Sequence, residues 1–349
     1  VFWNAGTASD GMKVIFGESV EKIPDGLFKG CAGLTSVTIG SNVVNVGAST
    51  FSSCTGLAEI YYNAKAAADN SNVFWGSGTA VAGLKVVFGE SVEKIPNNLF
   101  GRCVGLTSVT IGSNVTRVGE RAFSGCTGLK EVIYNAKAVT YNSHVFENAG
   151  TAADGMRVVF GESVEKIPGN IFSNCESLTS VTIGSNVTGI GSSAFYGCTG
   201  LKEVIYNARA AEYGGYAAFQ NAGTASDGMK VIFGENVEKI PDNIFYGCTG
   251  LTGVTIGRNV TSIGRGVFHG CTRLTAINYN ARRADDLDSS TNAFYDVGAE
   301  SEGVVVKFGE DVEIIPACLF YTNTSTPKIK IVSVSVGNRV TEIGEWAFC

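Results

Sequence analysis

The chain has 349 residues, with 45 Gly, 10 Cys, 6 Pro, 2 His, 44% hydrophobic residues and a formal charge of −6. That apolar content is ample for a core and argues against disorder. Scarce Pro and the absence of a three-residue Gly period exclude a collagen-like chain, and no apolar run approaches the ~20 residues of a membrane helix. Net negative charge argues against general nucleic-acid binding, which needs clustered Lys and Arg. His144 and His269 fall in unlike repeat phases and read as a lone surface or loop His each, leaving little room for His-based catalysis or metal sites.

Internal repetition dominates the sequence. Phe-Gly-Glu recurs at Phe16, Phe88, Phe160, Phe233 and Phe308, at spacings of 72, 72, 73 and 75 residues. Pro24, Pro96, Pro168, Pro241 and Pro316 each follow eight residues later, while Pro327 lies where the pattern is blurred. One residue type at one phase implies one backbone position of fixed φ. Each long unit holds three shorter ones. The second of these runs from Leu34 to Leu57 in 23 residues, the third from Leu57 to Leu84 in 27, and the next first one from Leu84 to Leu106 in 22.

In chain order, Thr35-Ser36-Val37-Thr38-Ile39 alternates with period 2, which predicts a short strand with Val37 and Ile39 inward and Ser36 and Thr38 outward. Gly40 follows as a turn residue. Val43 and Val46 return apolar side chains inward, Phe51 fills the far side, and Leu57 starts the next coil. One coil cannot bury its own apolar face, so stability must come from stacked neighbours. Fourteen strand segments are in register. At ~4.8 Å per strand they predict a stack of ~65 Å. Length alone suggests two domains. The repeats instead predict one leucine-rich repeat solenoid over residues 1–349, of about 14 coils in five three-coil long repeats.

The runs LTSVTIGSNVTGIGSSAFYGCTGL from Leu178 and LTGVTIGRNVTSIGRGVFHGCTRL from Leu251 resemble the BspA-like leucine-rich repeat family. Leu178, Val181, Ile183, Ile190, Gly191, Ala194, Phe195 and Cys198 carry the resemblance, which extends over essentially the whole chain. It implies stacked short parallel strands on a concave face, with loops and short helical turns opposite. It also implies a surface or secreted protein of a host-associated microbe, active in adhesion and in binding host proteins, with no enzymatic motif to carry over. The chain departs from the family in the long third sub-unit, which lacks Ala-Phe-x-x-Cys, and again at 318–332. Val1-Phe2-Trp3 matches Val73-Phe74-Trp75, and Ala347-Phe348 matches Thr50-Phe51. Both ends thus fall mid-repeat, and the expectation is a piece of a longer protein.

Eight cysteines lie three residues before a coil, in pairs 23 apart: Cys31/Cys54, Cys103/Cys126, Cys175/Cys198 and Cys248/Cys271. Stacking places paired Cα atoms within disulfide range, but parallel inward Cβ vectors do not converge. Counting back from the next strand, the third sub-unit puts Val81, Ala153 and Ser226 at this position, and the fifth long unit puts Asn323 there. A position open to all these residues reads as a small packing slot holding free buried thiols. Cys318 and Cys349 lie off the ladder and are the better candidates for exposed or artefactual pairing.

Outward strand positions form two columns. One carries Lys13, Lys85, Arg157 and Lys230 in the first sub-units, Ser36, Ser108, Ser180 and Gly253 in the second, and Glu59, Glu131 and Glu203 in the third. Glu59 with Lys85, Glu131 with Arg157, and Glu203 with Lys230 are therefore expected cross-strand pairs. The other column is Ile15, Thr38, Tyr61, Val87, Thr110, Ile133, Val159, Thr182 and Ile205. An apolar outward row points to a partner surface unless long Lys and Glu stems cover it. The candidate ligand-binding residues are Lys13, Ile15, Glu59, Tyr61, Lys85, Val87, Glu131, Ile133, Arg157, Glu203 and Lys230.

Asn114-Val-Thr116, Asn186-Val-Thr188, Asn259-Val-Thr261 and Asn323-Thr-Ser325 match the glycan acceptor pattern, yet Asn42 holds the same turn position without the Thr, so a structural Asn is expected. Asp285-Asp286-Leu287-Asp288 lacks calcium-loop spacing and reads as a solvated loop. Tyr141, His144, Tyr213 and Tyr216 in the long loops are further contact candidates. There is no nucleophile elbow, no paired carboxylates in a unique context and no phosphate loop. With no such motif, the chain reads as non-catalytic; the family resemblance and the long concave face imply an extracellular interaction module for a protein ligand such as a host extracellular protein, with no cofactor, metal, nucleic acid or direct membrane insertion. A structural spacer at the cell surface is the alternative.

Overall fold

Leu-Thr-Ser-Val-Thr-Ile forms the strand Leu34–Ile39, with Leu34, Val37 and Ile39 buried and Ser36 and Thr38 turned outward. The same six-residue strand recurs at Leu106–Ile111, Leu178–Ile183 and, with Gly in place of Ser, at Leu251–Ile256. The structure, a computed structural model, describes residues 11–137, 144–151, 155–213, 218–225, 227–322 and 329–349. Tyr141, Tyr216, Ala153, Ser226, Asn323 and the side chain of Tyr213 lie outside the described residues. The chain divides into two units, Val1–Val164 and Glu165–Cys349.

In the first unit, Met12–Phe16, Leu34–Ile39, Glu59–Tyr62, Leu84–Phe88, Leu106–Ile111, Glu131–Tyr134 and Met156–Phe160 pair in chain order, each parallel to the next. Val14, Val37, Ile60, Val86, Val109, Val132 and Val158 fall in one register, as a continuous apolar column demands. The second unit repeats the arrangement with Leu178–Ile183, Glu203–Tyr206, Met229–Phe233, Leu251–Ile256, Ala276–Tyr279, Val304–Phe308 and Ile331–Ser335. Five-residue strands meet six-residue ones through a bulge. Leu84 faces Leu106, Lys85 faces Ser108, and the extra Thr107 hydroxyl donates to Leu84 O at 3.2 Å. Gly83 (φ +139°) precedes this bulge, and a Cβ there would stand 2.3 Å from Thr107 Oγ1.

Two-residue strands form a second ladder, such as Lys94–Ile95 against Arg117–Val118. Pro96 sits where no donor is needed: Glu93 and Lys94 N–H both reach Lys65 O, and the next bond back is from Asn97 N–H to Asp69 Oδ1 at 2.9 Å. A third ladder closes the coil. Gly26, Phe28 and Gly30 N–H donate to Ala48, Thr50 and Ser52 O of the next coil, while Lys29 and Cys31 N–H close back on Gly26 and Phe28 O of their own turn. In most coils this alternation runs between left-handed residues four apart. Asn98 (φ 53°) and Arg102 (57°), Arg121 (52°) and Gly125 (69°), Asn170 (52°) and Asn174 (58°) are such pairs. The expected short helical turns are replaced by these turns: the described residues contain no helix. A helix would turn every N–H back on its own coil and leave the neighbour without donors.

One Phe per coil stacks along each unit. Phe28, Phe51, Phe74, Phe100, Phe123 and Phe146 have centroids 4.7–5.7 Å apart and interplanar angles of 6–9°. In the second unit Phe172, Phe195, Phe219 and Phe245 continue the pattern at 4.7–6.0 Å. Strand-end rings brace the column from the side: Phe88 meets Phe100 and Phe123 edge-on, both at 6.1 Å.

All ten cysteines are free thiols. Cys54, Cys126 and Cys198 donate to Phe28, Phe100 and Phe172 O at 3.0–3.1 Å. Burial pushes Cys103, Cys175 and Cys248 up to about 12. The third sub-unit fills this row with Ser77, Ala149, Ala222 and Val297, all buried, and not with Val81, which is exposed. The extra loop residues come after the turn, so counting back from the next strand misplaces the row by four. Ser77 Oγ takes the thiol's part, donating to Phe51 O at 2.6 Å. Cys318 is buried rather than exposed: it occupies a left-handed turn position (φ 54°), and its N–H bonds Glu345 O. Cys349 is exposed.

Two outcomes follow from this packing. Native protein titrated with a thiol reagent at pH 8 should show fast reaction at Cys349 only, and full reaction of ten thiols in denaturant; two or fewer there would mean that the ladder is disulfide-bonded. Gly105→Ala should destabilise by about 1–3 kcal/mol, because its Cβ would lie 2.3 Å from Ser77 O. By contrast Asn98→Gly, at φ 53°, should stay within about 1 kcal/mol in denaturant titrations.

Candidate functional site

The strand face is built by the outward side chains. In the first unit Lys13 pairs with Ser36, Ser36 with Glu59, Glu59 with Lys85, Lys85 with Ser108, Ser108 with Glu131, and Glu131 with Arg157. Glu131 and Arg157 form an ion pair at 2.5 Å, and Ser108 Oγ approaches the other carboxylate oxygen at 3.4 Å. Glu59 and Lys85 stand in register without a direct ion pair, as do Glu203 and Lys230 in the second unit. The planar Arg fork closes the pair where the more strongly hydrated Lys ammonium does not.

The neighbouring column is Ile15, Thr38, Tyr61, Val87, Thr110, Ile133 and Val159 in the first unit. Ile15 is 75% exposed, Tyr61 44% and Val87 40%. Ile133 and Val159 are half-buried, on the strands that carry the Glu131–Arg157 pair. The second unit continues with half-buried Thr182 and Ile205 and with Ile232, 38% exposed.

Other corners carry rows that period-2 reading does not reveal. Lys65 pairs with Glu93 at 3.1 Å, Arg209 with Glu238 at 2.7 Å, and both Arg282 and Arg283 with Glu313. The Arg283 and Arg282 guanidiniums hold the Glu313 carboxyl below its usual range. The sequence signal was a cation after Asn-Ala in each third sub-unit and a Glu two residues before the Ile-Pro of the next coil. His269 is not solitary: it stands between Tyr246 and Tyr295 at 4.7 and 4.8 Å, and burial pushes its imidazole down while Asp296 opposes. His144 is exposed at a left-handed turn position (φ 61°).

The acceptor-pattern asparagines serve the stack. Asn42, Asn114 and Asn259 each donate Nδ2–H to a backbone carbonyl of the preceding coil at 2.7–2.8 Å. Thr116, Thr188 and Thr261 hydroxyls donate to Glu93, Glu165 and Glu238 O. In the acidic loop, Asp286 accepts from Ala317 N–H, and Asp288 accepts from Ser290 N–H and from the Ser290 and Thr291 hydroxyls. Among the described residues no group of three or more His, Cys, Asp or Glu is placed to hold a metal ion, and no helix is long and apolar enough to cross a membrane.

Parallel coils of 22–29 residues, a Leu opening most coils and one stacked Phe per coil define a leucine-rich repeat protein. The model of the BspA type leucine rich repeat region, a family of six-copy arrays, matches residues 9–105, 93–226 and 165–297, and the chain belongs to that family. It is similar to a leucine-rich repeat protein from Bacteroides ovatus, at 20% identity over 97% of this chain and 84% of that one, with a TM-score of 0.43. A leucine rich cell surface protein from Faecalibacterium prausnitzii is 20% identical over 78% and 88% of the two chains, TM-score 0.28. The pneumococcal vaccine antigen PcpA is 14% identical over 85% and 84%, TM-score 0.32. No curated protein matches the chain.

The Glu131–Arg157 pair is solvent-facing, so a double-mutant cycle with Glu131→Ala and Arg157→Ala should give a coupling of about 1 kcal/mol or less. That coupling should shrink in 1 M salt.

Proposed function

We propose that this chain is a non-catalytic extracellular interaction module that takes a protein ligand, such as a host extracellular protein, on its strand face. The observation that carries this reading is the exposed row Ile15, Tyr61 and Val87 on the first unit, flanked by Lys13, Glu59 and Lys85. Apolar groups rimmed by charge are the pattern of a protein interface core. Family membership supports it, because repeat scaffolds of this kind commonly serve binding. A location at the cell surface belongs to the same proposal. It draws on the family and on the description of the Faecalibacterium prausnitzii protein as a cell surface protein.

The test uses substitutions the column already tolerates. Thr38 and Thr110 occupy it, so Tyr61→Thr and Val87→Thr should fold normally. The chain is immobilised and presented with a panel of purified host extracellular proteins. Binding by the parent chain, lowered tenfold or more in the double variant, is expected. Binding that is unchanged in the variant overturns the assignment to this face. No binding to any member of the panel favours the alternative, a structural spacer, whose supporting observation is the near-identity of successive repeats.

A further inference from the structure

Two arginines of the first unit occupy backbone positions that disfavour them. Arg102 (φ 57°) and Arg121 (φ 52°) stand in the left-handed turn rows, whose other members in this unit are Gly, Asn, Ser and His144. Gly and Asn adopt this conformation with least strain, and a long unbranched side chain gains nothing locally from it. Backbone strain held at neighbouring positions is a reason to look for function.

Both arginines line one open hollow of about 610 Å³ on the turn side of the coils. The hollow exists because Gly101 and Gly125 carry no side chain in rows where adjacent coils carry Trp75, Glu147 and Asn148. The Arg102 stem lies over Gly125, whose added Cβ would stand 3.2 Å from Arg102 Cγ. Its guanidinium is exposed and makes no ion pair or hydrogen bond with a described residue. Arg121 is shared loosely between Glu120 and Glu147, both at 3.5 Å. The side-chain amides of Asn72, Asn98 and Asn148 line the rim and have no hydrogen-bond partner among the described residues.

The backbone at this place is already committed. Asn98, Phe100 and Arg102 N–H reach Glu120, Ala122 and Ser124 O at 2.7–3.0 Å, and Gly125 N–H reaches Glu147 O. An extended peptide would find no main-chain ladder here. What remains is a fork of five N–H donors, a second fork beside it, and a set of planar amides. Guanidinium forks match carboxylates, and amides match ring hydroxyls. Glu147 disfavours ligands with dense negative charge while accepting hydroxyl donors. We infer that the hollow is a binding site for a carboxylate-bearing sugar, held by Arg102 and Arg121 at its carboxylate and by Asn72, Asn98 and Asn148 at its hydroxyls. It lies apart from the strand face and does not depend on the partner proposed there.

Calorimetric titration of the 349-residue chain in low-salt buffer tests this, with trigalacturonic acid, a neutral trisaccharide and triglutamate as probes. Trigalacturonic acid should bind and the other two should not. R102N should weaken binding tenfold or more. Because Asn is favoured at φ 57°, R102N should keep or raise the thermal midpoint, which separates lost binding from lost fold. R121S, giving a residue the rows already hold, should act likewise. Tyr61→Thr on the strand face should leave sugar binding unchanged. No binding of trigalacturonic acid at millimolar concentration overturns the inference. So does equal binding of the neutral sugar or of triglutamate, or full affinity in R102N.

Discussion

Along each turn of the coil, alternate N–H groups point at the neighbouring coil and the rest close back on their own turn, as at Gly26, Phe28 and Gly30 against Lys29 and Cys31. That alternation runs in most coils between left-handed residues four apart, and it holds successive turns at the spacing of the parallel strands. The Phe column then follows. Rings such as Phe51, Phe74 and Phe100 sit between the two left-handed positions of their coils and have one place to go, against the ring of the next coil. The Cys54, Cys126 and Cys198 thiols and the Ser77 hydroxyl complete the arrangement by donating to the carbonyl of the Phe one coil back, while Cys103 and Cys248 reach Ser77 and Ala222 O. Cys, Ser, Ala and Val are interchangeable there because the slot asks first for small volume.

The sequence shows the strands clearly because period-2 alternation and coil-to-coil register carry the same information. Val37, Ile60 and Val86 are legible as one column before any coordinate is known. The turns are less legible. Their left-handed positions accept Gly, Asn and Ser, but also Arg102, Arg121 and His144, so composition alone does not mark them. Loop length misleads where the chain is counted from the wrong anchor. Residues inserted after Ser77 shift Val81 into an apparent match with Cys54, although Ser77 is the true counterpart. Ion pairs such as Lys65–Glu93 link residues 28 apart, a separation that becomes meaningful only once the third sub-unit's extra length is placed in space.

Of the candidate strand-face residues, register and exposure are geometric facts, and their use in binding rests on chemistry. β-Branched side chains favour strands whether or not anything binds to them. Ile133 and Val159, half-buried on the strands of the Glu131–Arg157 pair, are accounted for by strand propensity. Tyr61 is different. Its flanking positions hold Thr38 and Val87, smaller residues that satisfy the same backbone, so the extra aromatic surface is not required by the sheet. It is the position in this column where folding leaves most of the side chain unexplained.

The same argument ranks the turn side. A stacked coil satisfies its backbone completely, so a ligand meets only side chains, and a regular row of side chains offers each coil the same chemistry. Information enters where a row is broken. Arg102 replaces a residue better suited to its φ, and Gly101 removes bulk where the preceding coil places Trp75. One change adds a charge that no described residue neutralises, and the other opens space beside it. Packing favours neither change, and together they create a polar recess that the repeat, left regular, would not contain.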